Sequence, residues 1–417
     1  MSSAASVSPE LTVKDANSVT PYLWGMFVMC FIGNVMGGTV STLMSVYLPV
    51  VVADISTDKT PALEQLSALL SALYFVGWAI GGLTMGVIAD RVGRVRSLAT
   101  AIIIFGVGTV LMRFGNTWTY IIALRFISGF GVGASLVLNT TLLSEVWPAK
   151  TRAVFLGILS IGFPVGIFSS GAMNYFVADW RDGVFIGVIP IFLGALIWLY
   201  VRESDRWKQS RGSGQKNVAR VELANHKQQL LEGAVIFSAM LIGLWAIFSW
   251  LPTWVQSLLP SSDGQRERGL SMMLLGIGGL SGGFFSGWIS NLLGTRKAMI
   301  CVFTMCFVLS ALLFLGNTSF QVVTLVEIAL LAFTFGVSQG LLAVYIPQLF
   351  PVSIRAMATG FCFNIGRFFT ATSVFFVGAL VSTLGGYGAS LFAFSFVFLI
   401  GLLFTLFTRK ERSHASH

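Results

Sequence analysis

Long apolar runs alternate with short polar breaks along most of this chain. Crossing the hydrocarbon of a bilayer takes about 20 predominantly apolar residues. Twelve runs approach or exceed that length: 23–52, 65–89, 97–114, 118–144, 153–178, 184–201, 232–259, 270–292, 298–315, 320–349, 355–382 and 386–408. A helix satisfies its own backbone hydrogen bonds and can therefore stand in lipid. A closed barrel is the other solution, but it needs alternating ten-residue strands, which the pattern lacks. The longest runs are expected to tilt or protrude. The pattern therefore predicts an all-α membrane protein of twelve transmembrane helices. One break is long and polar, over 202–230. It divides the chain into a tail (1–22), a six-helix bundle (23–201), a linker (202–230), a second six-helix bundle (231–408) and a short tail (409–417).

The halves repeat. After the second run stands Gly86-Val-Ile-Ala-Asp90-Arg91-Val-Gly93-Arg94-Val-Arg96, and after the eighth Gly287-Trp-Ile-Ser-Asn291-Leu-Leu-Gly294-Thr-Arg296-Lys297. Gly86 and Gly287 are 201 residues apart. After the fourth run comes Glu145-Val-Trp-Pro148-Ala-Lys-Thr-Arg152, and after the tenth Gln348-Leu-Phe-Pro351-Val-Ser-Ile-Arg355. Pro148 and Pro351 are 203 apart. Two motifs at nearly one offset indicate a duplicated six-helix unit, the plan of transporters whose binding site lies between the halves.

Composition agrees. Of 417 residues, 55% are hydrophobic and only 10% charged, against about 25% charged in soluble chains. A water-soluble enzyme, a disordered chain and a collagen are excluded. The net charge of +9 does not indicate nucleic acid, because the basic residues flank the apolar runs. With the N-terminus inside, 19 of the 26 Lys and Arg fall on the cytoplasmic side; Lys59, Arg113, Arg181, Arg266 and Arg268 fall outside, and Arg125 and Arg367 within the membrane. This asymmetry places both termini in the cytoplasm. Compact loops point to a bacterial inner membrane. The polar first 20 residues offer no cleavable signal. Cys30, Cys301, Cys306 and Cys362 lie in apolar runs and His226, His414 and His417 in polar segments, so no metal site is expected. Neither is a cofactor, since nucleotide-binding loops and paired catalytic carboxylates are missing.

The tract GVIADRVGRVR resembles the loop 2–3 signature of the major facilitator superfamily. Arg125-Phe-Ile-Ser-Gly129-Phe-Gly131-Val-Gly133 is similar to its fourth-helix signature, and the E-x-x-P-x-x-x-R tract to its sugar- and organic-acid-porter branches. The resemblance runs over roughly 23–408. It implies two bundles rocking about a central cavity. It also implies a gating latch at Asp90, with Arg91, Gly93 and Arg94 around it and Glu145 and Arg152 joining. The alternative is a basic cluster that serves topology alone. Asn291 replaces the acid in the second copy, so a latch would be asymmetric. Gly129 and Gly133 have the spacing that lets helices approach closely. Gly157, Gly162, Pro164 and Gly166 partly match the Gly-Pro signature of drug antiporters, with a kinked, packed helix as the alternative.

Charges inside a span are expensive and mark pathways. Three lie deep: Arg125, Glu327 and Arg367. Arg367 is 13 residues into its run, about 20 Å from the cytoplasmic end, with Asn364 on the same helical face. A desolvated guanidinium suits a carboxylate; an internal Arg–Glu pair is the competing reading. The stretch Gly360-Phe-Cys-Phe-Asn364-Ile-Gly366-Arg367 resembles the eleventh helix of organic-anion and aromatic-acid porters. By resemblance, Arg125 steadies the bundle or assists proton coupling. Glu327 is the candidate proton carrier, or else part of a permanent salt bridge. Such porters often carry an aspartate in the first helix, where Asn34 stands here, and an amide cannot cycle a proton. Asn34, Gln339, Tyr74, Trp245 and Tyr345 are further candidates to line the cavity, as are Ser41, Ser45, Asn139, Gln256 and Trp250.

The resulting expectation is a monomeric secondary transporter, not an enzyme. Its partners would be a small organic anion, H⁺ or another coupling ion, and membrane lipid. A drug or amphiphile exporter, or a non-transporting receptor on the same fold, is the alternative.

Overall fold

The computed structural model describes residues 19–55, 63–204, 207, 226–260, 264–351 and 354–407. Residues 1–18 of the expected tail 1–22, residue 408, the whole expected tail 409–417, most of the linker and Lys59 lie outside the described residues. Among the described residues, twelve helices are long and apolar enough to cross a membrane. They are α1 (Pro21–Ile55), α2 (Leu63–Val92), α3 (Arg94–Leu111), α4 (Trp118–Val146), α5 (Arg152–Phe176) and α6 (Trp180–Tyr200, entered through a 3-10 turn). Then follow α7 (Lys227–Ser257), α8 (Gln265–Leu293), α9 (Thr295–Gly316), α10 (Val322–Gln348), α11 (Arg355–Ala379) and α12 (Tyr387–Phe407).

The helices form two pseudo-symmetric six-helix bundles. In the first, α2 packs on α4, α1 on α5, and α3 on α4 and α6; in the second, α8 packs on α10, α7 on α11, and α9 on α10 and α12. Each pairing recurs six helices later. Between the bundles, α5 packs on α8, α2 on α11 and α1 on α7, so the seam is itself two-fold. We call the side where α1 begins and α12 ends the near face, and the opposite side the far face.

Without water, apolar burial gives helices little reason to associate, and close van der Waals packing takes over. Glycine supplies it. Gly77 and Gly81 of α2 press on the backbone of Phe126 and Phe130 in α4, while Gly129 and Gly133 of α4 press back on Tyr74 and Trp78. A Cβ at any of these positions would collide with a main-chain carbonyl. The second bundle repeats the joint: Gly278 and Gly282 of α8 meet Ala329 and Phe333 of α10, and Gly336 meets Gly279. The small-residue spacing thus serves packing in both repeats.

The turns repeat as well. Gly93 has φ 126° and Gly294 φ 78°, each between two helices that leave no room for a longer loop. Only glycine adopts such backbone freely. Arg152 donates from Nε and Nη2 to the Trp147 carbonyl (3.1 and 3.0 Å), and Arg355 from Nε to the Phe350 carbonyl (3.3 Å). The arginine of each proline motif therefore closes the end of the preceding helix, whose last carbonyls lack partners.

Replacing Gly133 with valine should destabilise the protein by about 1–3 kcal/mol, the usual range for overpacking. Gly157→Val, where a Cβ meets open space, should have little effect. Thermal unfolding of both variants in detergent checks the difference.

Candidate functional site

Two polar constellations and one aromatic one stand out. The first lies at the near-face turn between α2 and α3. Arg94 pairs with Asp90 (2.7 Å) and, through Nε, with Glu145 of α4 (3.1 Å). Glu203, just past α6, accepts from the backbone N–H of Arg94 (2.7 Å) and Val95 (3.1 Å). It thereby caps α3 with a carboxylate, which the helix dipole favours. Its carboxylate lies where a Cβ on residue 93 would go, a second reason for Gly93. Trp207 donates its indole N–H to the Asp90 carbonyl (3.0 Å). The cluster joins α2, α3, α4 and the start of the linker, all on the first-bundle side. Arg91 is exposed beside it, and Arg152 turns to Trp147 as described. Sequence reasoning missed Glu203; an acid directly after the sixth span was the available signal.

The second constellation is inside the first bundle. Arg125 is 2% exposed. Its Nη1 donates to the Val40 carbonyl (3.0 Å), its Nη2 to that of Ser41 (3.3 Å), and its guanidinium lies 3.9 Å from the centre of the Tyr74 ring. The Tyr74 hydroxyl hydrogen-bonds the Ser41 hydroxyl (2.7 Å). Arg125 forms no ion pair among the described residues. Asn34 donates to the Leu159 carbonyl of α5 (2.9 Å) and accepts from Asn139 of α4 (2.9 Å). Tyr74, Asn34 and Asn139 thus face their own bundle, tying α1 to its neighbours, and the structure does not bring them to the seam.

The seam itself is aromatic. Trp245 of α7 meets Phe75 (4.9 Å between ring centres) and Trp78 (5.3 Å) of α2 and Phe163 of α5 (6.0 Å), and reaches Phe248 (5.8 Å) on its own helix. The indole N–H of Trp78 is buried without a hydrogen-bond partner. Phe75, Trp78 and Phe163 were not singled out from sequence. The signal was present in Trp78 and Trp245, which stand in mid-span and not at the interfacial ends where tryptophan usually anchors.

Arg367 lies on α11, which packs on α2 across this seam. It is half-buried and points away from the exposed face of Phe361, Phe368, Phe369 and Phe376. Counting 1.5 Å per residue, Arg367 and Trp78 are each about 20 Å from the near ends of their helices. Its guanidinium makes no hydrogen bond or ion pair with any described residue. Asn364, one turn earlier, donates to its own helix at the Gly360 carbonyl (2.9 Å). Gln339 is exposed on α10 but is rotated by about 140° from the centre of the exposed face of Val322, Val326 and Leu330, while Tyr345 is buried. Glu327 accepts from Asn317 (2.6 Å) in the α9–α10 turn, not from an arginine. Glu327, expected as a proton carrier or else as half of a salt bridge, is therefore held by an amide toward the far end of the second bundle.

Truncating Arg125 and the half-buried Arg367 should separate their roles. Arg125→Ala loses two charged hydrogen bonds and a stacked ring and leaves a cavity, worth about 2–5 kcal/mol. Arg367→Ala removes a charge with no described partner, so the unfolding midpoint should hold or rise. Unfolding midpoints in detergent test both.

Residues 29–371 match the family model of the Major Facilitator Superfamily. A cis,cis-muconate transport protein of Acinetobacter baylyi is 25% identical, covering 93% of this chain and 94% of the relative. A 4-hydroxybenzoate transporter, PcaK, of Pseudomonas aeruginosa is 24% identical over 85% of each. Among solved structures, the partially occluded inward-open xylose transporter XylE of E. coli superposes with a TM-score of 0.77 at 17% identity, over 95% of this chain and all of that one. The match spans most of both bundles, and the chain belongs to the Major Facilitator Superfamily.

Proposed function

We propose that the protein carries a small organic anion, a carboxylate, across a bacterial inner membrane by alternating access. The observation that carries this reading is the unpaired guanidinium of Arg367. A cation taken out of water without a partner costs several kcal/mol, and a transported carboxylate would supply the missing charge through a bidentate contact. The aromatic seam at the same depth would hold the body of the anion, with the Trp78 N–H as a donor and Asn364 beside Arg367. Relatives named for cis,cis-muconate and 4-hydroxybenzoate, both carboxylates, support this class.

The far halves of α5 and α8 are packed together, which suits a state closed on that side. The near-face cluster of Asp90, Arg94, Glu145 and Glu203 would be the latch that engages and releases as the bundles rock, with Arg91, Gly93 and Arg152 shaping it. The near face would be the cytoplasm, with both termini inside. Coupling to H⁺ would run through Glu327 and Arg125, because Asn34 cannot cycle a proton. Drive by the charge of the substrate itself needs neither. The aromatic seam alone would also suit a lipophilic cargo; that second reading requires transport indifferent to Arg367.

Uptake of 4-hydroxybenzoate and cis,cis-muconate into proteoliposomes provides the test. Arg367→Ala should reduce uptake by roughly tenfold or more with the folded yield intact. Arg367→Lys should recover only part, since lysine keeps the charge but not the fork. Undiminished uptake by Arg367→Ala sinks the assignment.

A further inference from the structure

The outer side of the second bundle carries an apolar groove among α8, α9 and α10. Its volume is about 320 Å³, and it is lined by Ile289 of α8, Ala298, Cys301 and Leu309 of α9, and Leu330 and Thr334 of α10. Cys301, Met305 and Leu330 on its walls are exposed, so it opens on the lipid side. From Ala298 to Leu309 it runs about 16 Å, at 1.5 Å per residue. It begins within one turn of the near end of α9 and so covers the depth of one leaflet, half of roughly 30 Å of hydrocarbon.

The matching crossing in the first bundle, α3 on α4, is closed by glycine. A Cβ on Gly131 would lie 2.6 Å from the Ala101 carbonyl oxygen and the Phe105 nitrogen, and one on Gly108 would lie 2.7 Å from the Ser128 hydroxyl. The repeat offsets of 203 and 201 residues bring Thr334 and Leu309 to those places. There the Cys306 thiol meets the Thr334 hydroxyl (3.6 Å), so side chains and not backbone set the distance between α9 and α10. Close-packed interiors hold few voids larger than a water molecule. Water does not suit this one, because it needs two to four polar partners. The one hydroxyl lining the groove, on Thr334, already donates to the Leu331 carbonyl (2.7 Å).

A cation stands at the near rim. Lys297 is exposed, one turn before Cys301 on the same helical face, and it pairs with no acid among the described residues. A lysine at a span end extends its ammonium to the interface. Its neighbour Arg296 is committed to the end of α12, donating to the carbonyls of Thr405 (3.1 Å) and Leu406 (2.6 Å).

We propose that this groove is a binding site for an anionic phospholipid of the near leaflet, with one acyl chain lying between α9 and α10 and the phosphate on Lys297. The chain supplies the packing that glycine gives the first bundle. A depth of one leaflet and a cation at the rim fit a lipid, whereas a second helix would run the full thickness. The site involves neither the seam nor Arg367.

Native mass spectrometry of the purified protein, titrated in detergent with phosphatidylglycerol or phosphatidylcholine, tests the site. Wild type should hold one phosphatidylglycerol about fivefold more tightly than phosphatidylcholine, the factor that one charge near an anionic surface supplies. Lys297→Gln should lose that preference and keep the binding due to the chain. Cys301→Trp, which fills the groove from its lipid side, should lose most binding of both lipids. Arg96→Gln removes the matching charge of the first repeat, where the crossing is closed, and should change nothing. Unaltered retention of phosphatidylglycerol in Lys297→Gln and Cys301→Trp overturns the site and marks the lipid as annular. Equal losses in Lys297→Gln and Arg96→Gln also overturn it and mark a diffuse effect of charge. A wild-type dimer that Cys301→Trp breaks overturns it too, by giving the groove to a second copy of the chain.

Discussion

Everything distinctive about this protein follows from the cost of holding a guanidinium away from water. Born-type penalties for a buried cation run to several kcal/mol even after relaxation. Arg125 meets that cost with two carbonyls of α1 and the face of Tyr74. Arg268 hydrogen-bonds Gln256. Arg367 has no described partner, and its helix packs on α2 and α7, the helices of Trp78 and Trp245. The charge of Arg125 is thus spread over dipoles and a ring. In the proposed reading Arg367 is the receptor group, and the anion it lacks is the substrate.

The scaffold makes such a group tolerable. Glycines dovetail α2 with α4 and α8 with α10, so each bundle is rigid at its core. The bundles meet along α5–α8, α2–α11 and α1–α7. Tight glycine-to-backbone joints therefore run inside each bundle and along the far halves of α5 and α8, while the middle of the seam is made of aromatic faces. Aromatic faces can part and re-form without leaving main-chain hydrogen bonds unmade, which suits a surface that opens. The charged near-face cluster is held to one bundle and to the start of the linker, so it can change partners without disturbing the core.

Much of this was legible in the sequence. Run length alone located twelve helices, and the paired motifs 201 and 203 residues apart exposed the duplication. Gly93, Asp90 and Arg94 were readable because a tight turn and an i,i+4 charge pair are local, while Glu145, 51 residues from Arg94, entered through the family resemblance. What sequence did not reveal was direction. These helices are apolar on nearly every side, so periodicity does not say which face meets lipid, bundle or seam. Asn34 and Tyr74 pointed into the first bundle for that reason, and Glu327 found Asn317 in a turn. Phe75, Trp78 and Phe163 converge from three separate stretches, which no local pattern records. Arg268 was counted as an outer-loop charge by its position; its inward turn depends on Gln256, a neighbour twelve residues away across a loop.

The central claim is that Arg367 selects a negative charge. Calorimetric titration of purified protein with 4-hydroxybenzoate and with its neutral amide, in wild type and Arg367→Gln, tests it most directly. The account predicts that wild type prefers the acid by roughly tenfold or more, about 1.4 kcal/mol, and that the preference vanishes in the variant. An acid preference that survives in Arg367→Gln, or an amide that binds the wild type as tightly as the acid, would contradict it.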